Sequence, residues 1–141
     1  MILLDTDHLS VLVDRRNFRH ALLKERIEAS ADQEFAIPIV VVEEQLRGWL
    51  ARIHGLRHFS KQVPAYDRLA ELIDFLSDWQ IIPLTPLAAD HCQVLRKLGV
   101  PIGSQDLKIA AISIVNDALL LSANLRDLRQ VPELMVESWL G

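Results

Sequence analysis

The sequence predicts an α/β fold on a largely parallel sheet, and three observations carry that expectation. Short apolar runs recur near residues 1–4, 35–39, 80–84, 118–121 and 134–136. Stretches of helical periodicity separate them, and strands alternating with helices read as βαβ units. The first run, Met1-Ile2-Leu3-Leu4, stops on Asp5. A strand buried on both faces reads as a continuous apolar run, and open α/β sheets bind ligands beyond the carboxyl ends of their strands.

After Asp5, residues 7–30 scatter Leu9, Val11, Leu12, Leu22, Leu23 and Ile27 among charges, as one or two amphipathic helices would. Phe35 opens a second strand, broken by Pro38, that enters a helix near Val40. In that helix Val42, Leu46, Trp49, Leu50 and Ile53 keep the three- and four-residue spacing of a buried stripe. Glu44 falls off the stripe, beside Arg47 and Gly48; in a first turn its carboxylate would be favoured by the helix dipole alone. A mid-helix Gly48 costs ~1 kcal/mol against alanine and marks a close approach by another element.

Residues 64–79 form a helix with Pro64 in its first turn and Leu69, Leu72, Ile73 and Leu76 inward. Gln80–Leu84 is a third strand. Pro86–Leu98 is a helix closed by Gly99 in a C-terminal cap. Ser104 caps a helix running through Ile114, with Asp106 in its first turn. Ala118–Leu121 and Leu134–Val136 supply the last strands. There is no internal repeat, low-complexity tract or linker, so one domain over residues 1–141 is expected.

Half of the residues are hydrophobic and 24% are charged, which excludes disordered, collagen-like and disulfide-scaffold classes. Cys92 is the only cysteine, so no intramolecular disulfide can form. No basic region precedes the first strand, and no apolar stretch approaches the ~18 residues of a membrane span. The expected location is the cytoplasm. A net charge of −4 argues against indiscriminate nucleic-acid coating. The acid-free stretch from Gln45 to Tyr66 still carries Arg47, Arg52, Arg57, Lys61, His54 and His58. It reads either as a local basic surface or as an ordinary solvated face.

Four acids share one structural description. Asp5 follows the first strand, Glu44 lies early in the helix after the second, Asp106 sits at a helix N-terminus, and Asp127 follows the fourth strand. In a parallel sheet such positions can meet at one edge, where carboxylates raise one another's pKa unless a cation compensates. All-oxygen donors select a hard ion, Mg²⁺ or Mn²⁺, over zinc. One or two such ions activate water for in-line attack on a phosphodiester, paired ions standing ~3.5–4 Å apart. The competing reading is four unrelated surface acids among nineteen.

The segments LLDTDHLS (3–10), IPIVVVEEQLRG (37–48), IGSQDLKIAA (102–111) and LLSANLRDLRQVPEL (120–134) resemble, in order and spacing, the PIN-domain ribonucleases, and among them the VapC toxins. The resemblance covers almost the whole chain. It implies a three-layer α/β/α fold and Mg²⁺- or Mn²⁺-dependent endonuclease action on single-stranded RNA, leaving a 5′-phosphate and a 3′-hydroxyl. It also implies a cognate antitoxin as partner, and a homodimer. Asp5 matches the first metal-binding acid, Asp106 the third, and Glu44 the second, because the family's glutamate lies four residues before a glycine, here Gly48. Asp127 matches the acid of the last motif, while Asn124 and Ser122 match polar residues near metal or substrate. Some members carry an acid at the position of Asn124, which leaves the fourth ligand open between Asn124 and Asp127. Asp5, Glu44 and Asp106 would hold the principal ion; Asp127 with Asn124 would serve a second ion or position the attacking water.

Asp7 reads as a cap for the helix after Asp5, although it could assist the site. Trp49 and Trp79 read as packing residues rather than base-stacking platforms. The histidines lack metal-ligand spacing and none is assigned as a base. Arg47, Arg96 and Arg126 are candidate phosphate contacts. Two rival functions remain. Asp5 and Asp7 form a D-x-D after a strand, as in aspartyl-phosphate phosphatases, but Leu9 stands where those enzymes carry Thr or Val. A non-catalytic partner-binding domain is the other.

Overall fold

A computed structural model describes residues 1–141. In chain order the elements are β1 (Ile2–Leu4), α1 (Thr6–Val13), α2 (His20–Glu28), β2 (Phe35–Pro38), α3 (Ile39–Gly55), α4 (Phe59–Ser77), β3 (Gln80–Ile82), α5 (Pro86–Lys97), α6 (Ser104–Val115), β4 (Leu119–Leu121), α7 (Leu125–Leu128) and β5 (Met135–Glu137). The five strands form one wholly parallel sheet in the order β3-β2-β1-β4-β5. This is the three-layer α/β/α arrangement expected.

Side chains alternate across a strand, so β1 feeds both layers. Leu3, with Ala36 and Leu120, packs against Ala88 of α5 and Ile109, Ala111 and Ile112 of α6. Ile2 and Leu4, with Leu121, pack against Val11 and Leu12 of α1, Leu23 of α2, and Trp139 and Leu140 of the C-terminal segment. All three β1 residues are buried, which is why the run carries no polar residue.

The order of the strands fixes where a ligand can sit. From the central β1 the chain winds outward through β2 and β3, then returns to lay β4 and β5 on the other side. Connections therefore leave β1 and β4 in opposite directions, and a crevice opens between their carboxyl ends. Asp5 and Ser122 are the first residues beyond those two strands.

Several local expectations are corrected. β2 passes into α3 with no loop, so Glu44 is in the second turn and the dipole of the first turn does not explain it. α4 begins at Phe59, five residues before Pro64, because the amides of Lys61 and Gln62 both donate to the His58 carbonyl and start the helix there. Pro64 thus lies inside the helix. Leu50 and Ile73 face outward, 57% and 55% exposed. The buried line of α3 is instead Val41, Gln45 and Ile53, with Trp49 half-buried on it. Gln45 belongs there because its Nε2 donates to Ser10 Oγ at 2.7 Å and to the Thr6 carbonyl at 3.2 Å. An apolar count along the helix cannot see a satisfied polar core residue.

No element crowds Gly48: a Cβ built there meets nothing within 4 Å. Gly103, not Ser104, is the N-cap of α6. The Ser104 hydroxyl accepts from Arg96 at 3.2 Å instead. Gly99 does close α5. With φ at +75° it lets its own amide reach the Arg96 carbonyl and the Val100 amide reach Leu95, which is the Schellman arrangement.

Candidate metal-binding site

The site starts from Asp5. Its amide donates to the Leu121 carbonyl at 2.9 Å, carrying the β1–β4 pairing one residue past the strand. Its Oδ1 accepts from the Thr6 amide at 2.7 Å and caps α1. Its Oδ2 accepts from Ser122 Oγ at 2.7 Å. Burial pushes the Asp5 carboxyl up and the charges of Asp7 and Asp106 push it further, while the Ser122 and Thr6 hydrogen bonds pull against them. Burial dominates, so the group stands above the ordinary carboxylate range.

Because Asp5 is the cap, Asp7 is free for another task, contrary to the sequence expectation. Asp7 Oδ2 accepts from the Ala123 amide at 2.9 Å and lies 3.4 Å from Ser122 Oγ. Its Oδ1 meets the amide and ring Nδ1 of His8. The His8 ring is fully buried, and its Nε2 accepts from the Trp139 amide at 3.0 Å. An amide can only donate, so the ring proton sits on Nδ1 and points at Asp7. These donors hold the Asp7 carboxyl below its ordinary value although burial opposes them. Sequence reasoning missed this chain from α1 to the C-terminal segment, since a buried histidine beside an acid has no distinctive spacing.

Glu44 and Asp106 come from α3 and α6. The two helices are bridged where Gln105 Nε2 donates to Glu43 Oε1 at 2.9 Å. Glu43 also pairs with Arg47 at 2.8 Å, one turn along α3. Gln105 first, with help from Arg47, holds the exposed Glu43 carboxyl low. Glu44 behaves oppositely: partial burial, then the charges of Asp5 and Asp106, push it up. Adjacent glutamates thus divide into a surface ion pair and a member of the acid group. Asp106 is likewise raised, by partial burial first and then by Asp127 and Asp7.

Asp127 lies in the first turn of α7, where Asn124 Nδ2 approaches its Oδ2 at 3.4 Å. The Asn124 amide donates to Ser122 Oγ at 3.1 Å, so the fully buried Ser122 hydroxyl links the β4–α7 turn to Asp5. Asp5, Glu44 and Asp106 thus lie near enough for their charges to act on one another, as do Asp106 and Asp127.

The donor set suits a hard divalent cation, being carboxylate oxygen throughout. One atom calls for a partner directly: Glu44 Oε1 is buried and makes no hydrogen bond. Its neighbour Oε2 has only Thr6 Oγ1 at 3.4 Å. No three acids, histidines or cysteines stand close enough together to hold a metal ion as placed. The residue types fit a hard cation, and an ion there would have to draw the three carboxylates closer together.

A wholly parallel sheet between helical layers, with Asp5 and Ser122 at its switch point, makes this an α/β domain of three layers. The chain is a member of the PIN domain family, whose model matches residues 2–134. No curated protein matches it. Among solved structures it is similar to VapBC from Salmonella typhimurium bound to DNA, at 20% identity and a TM-score of 0.76, over 98% of this chain and 97% of that one. It is also similar to VapBC2 from Rickettsia felis bound to a promoter DNA fragment, at 24% identity and 0.74, over 99% of each chain. VapBC-1 from nontypeable Haemophilus influenzae gives 20% identity and 0.71 over 100% of each. At these identities the likeness shows a common fold.

Proposed function

We propose that the protein is a metal-dependent endoribonuclease, a VapC-type toxin of a toxin-antitoxin pair. It acts in the cytoplasm as a single-domain homodimer and is restrained by a cognate antitoxin. What supports this reading is Glu44 Oε1, buried with no hydrogen-bond partner, together with the carboxyls of Asp5, Glu44 and Asp106, each raised by burial first and then by neighbouring acids. Repulsion of that kind is relieved by Mg²⁺ or Mn²⁺. The VapBC structures of similar fold support the toxin and antitoxin parts. No helix is long and apolar enough to cross a membrane.

When bound, the divalent ion supplies a Lewis acid that acidifies water and offsets charge on the scissile phosphate. Asp5, Glu44 and Asp106, from the end of β1, α3 and α6, would hold it. Ser122 would keep the Asp5 carboxylate in one orientation on loading. Asp127, a neighbour of Asp106, would with Asn124 orient the attacking water or help a second ion. Hydrolysis breaks one phosphorus–oxygen bond of RNA, leaving a 5′-phosphate and a 3′-hydroxyl.

Asp7 speaks against the phosphatase alternative. A general acid there would need a raised pKa and a free oxygen, whereas Asp7 is lowered and both its oxygens are engaged.

The test is cleavage of a mixed RNA pool by wild-type and Asp5→Asn protein in Mg²⁺, Mn²⁺ and chelator. Cutting that needs the metal and vanishes in the variant is expected. A folded wild type that binds metal and an antitoxin but cuts nothing would favour a non-catalytic partner-binding domain.

A further inference from the structure

Beside the acids, α1 and α3 enclose a cavity of about 230 Å³ lined by Thr6, Ser10, Glu44, Gln45, Gly48, Trp49 and Arg52. Glu44, Gly48 and Arg52 are spaced four residues apart, so they form a single row along α3, about 12 Å long at 1.5 Å per residue. The row begins at the acid site and ends on a guanidinium. Its middle position carries no side chain, and a Cβ there would meet only open space. Neither helix packing nor backbone conformation explains a glycine in the middle of a helix, where it is disfavoured.

Arg52 is held rather than loose. Its guanidinium lies over the Trp49 ring at 4.7 Å, with Arg68 over the same ring at 5.2 Å. Arg16, Arg47 and Arg68 are engaged by carboxylates, and Arg52 is not among these ion-paired arginines. The hydroxyls of Thr6 and the exposed Ser10 line the opposite wall. A cation at the far end, small polar groups along the side and a notch in the floor suit the sugar-phosphate backbone of an extended single strand.

We propose that this groove is a substrate subsite. Arg52, oriented by Trp49, binds the phosphate of a nucleotide flanking the scissile bond, and Gly48 keeps the groove open for the chain between them. The proposal rests on the ribonuclease reading and names where its substrate lies. It makes Arg52 a binding residue and Trp49 a positioning residue.

The test measures binding without turnover. A fluorescent ten-nucleotide single-stranded RNA of mixed sequence is titrated with wild type, Arg52→Gln, Gly48→Leu and Lys97→Gln, in chelator and in Ca²⁺, over a range of salt. Arg52→Gln is expected to weaken binding about tenfold and lower the magnitude of the salt slope by roughly 1. Gly48→Leu is expected to weaken binding by a similar factor while its melting temperature stays level or rises, because leucine is the better helix former. Lys97→Gln, an equal loss of charge at the end of α5, is expected to change affinity less than twofold.

Equal affinity of wild type, Arg52→Gln and Gly48→Leu would overturn the subsite, as would no RNA binding by wild type in either condition. Loss of cleavage alone, with these binding differences intact, would count against the catalytic reading and leave the subsite standing.

Discussion

Ser122 Oγ donates to Asp5 Oδ2 at 2.7 Å, joining two residues 117 apart in sequence across the ends of β4 and β1. Both are buried, and the same hydroxyl accepts from the Asn124 amide. The bond is local to the switch point of the sheet and depends on the strand order that makes β1 and β4 neighbours.

Replacing Ser122 with alanine strands one oxygen of Asp5 and the amide of Asn124. A buried group left without its partner costs ~1–3 kcal/mol, so Ser122→Ala is expected to lose stability of that order in urea denaturation. Asp5 loses a bond that lowers its pKa. Mn²⁺ affinity, read by calorimetric titration near neutral pH, should fall, and fall more steeply as the solution is acidified.

The acid group makes the metal-free protein sensitive to pH. Asp5, Glu44 and Asp106 have raised folded-state pKa values, so between the ordinary and raised values the folded chain binds more protons than the unfolded chain. These groups therefore stabilise the fold below their ordinary values and lose that contribution as pH rises through the raised ones. Asp106→Asn removes one repelling charge. In chelator its melting temperature should exceed that of wild type by a few degrees at pH 7, and the gap should close as pH falls below the ordinary value of 3.8.

Adding metal should reverse that ranking. An ion at a hundred times its dissociation constant stabilises the form that binds it by ~2.7 kcal/mol. Wild type is expected to gain about that much with Mn²⁺, and Asp106→Asn little or nothing, in the same thermal scans.

His8→Leu probes the link between α1 and the C-terminal segment. The substitution keeps apolar volume but leaves Asp7 without its ring donor and the Trp139 amide without an acceptor. A loss of about 2–4 kcal/mol is expected from two unmade buried hydrogen bonds. Amide exchange should accelerate at Trp139 and Leu140 before it does in α5 and α6.

Gly99→Ala tests the cap of α5. A φ of +75° strains any residue with a Cβ, so a loss of about 1 kcal/mol is expected from chemical denaturation, with no effect on metal affinity.

Sequence and structure agree wherever one residue type leaves few alternatives. The apolar run 1–4 read as a strand buried on both faces and is one over Ile2–Leu4, and Gly99 read as the cap of the helix before it and is one. Element order followed from the same logic. What escaped depended on partners distant in the chain. Gln45 is a core residue only because Ser10 and Thr6 satisfy it, Asp7 is released from capping only because Asp5 caps, and His8 acquires a role only through Trp139. Leu50 and Ile73 match the periodicity of a buried stripe yet stand exposed, since spacing says nothing about which neighbours arrive.

The most direct test of the central claim is the position of Mn²⁺ in crystals of the protein, located by its anomalous scattering. The account predicts a peak in the crevice beyond β1 and β4, within metal–oxygen bonding distance of Asp5 and Asp106 and with Glu44 Oε1 turned toward it. A peak elsewhere on the surface, or an empty crevice at saturating Mn²⁺, would contradict it.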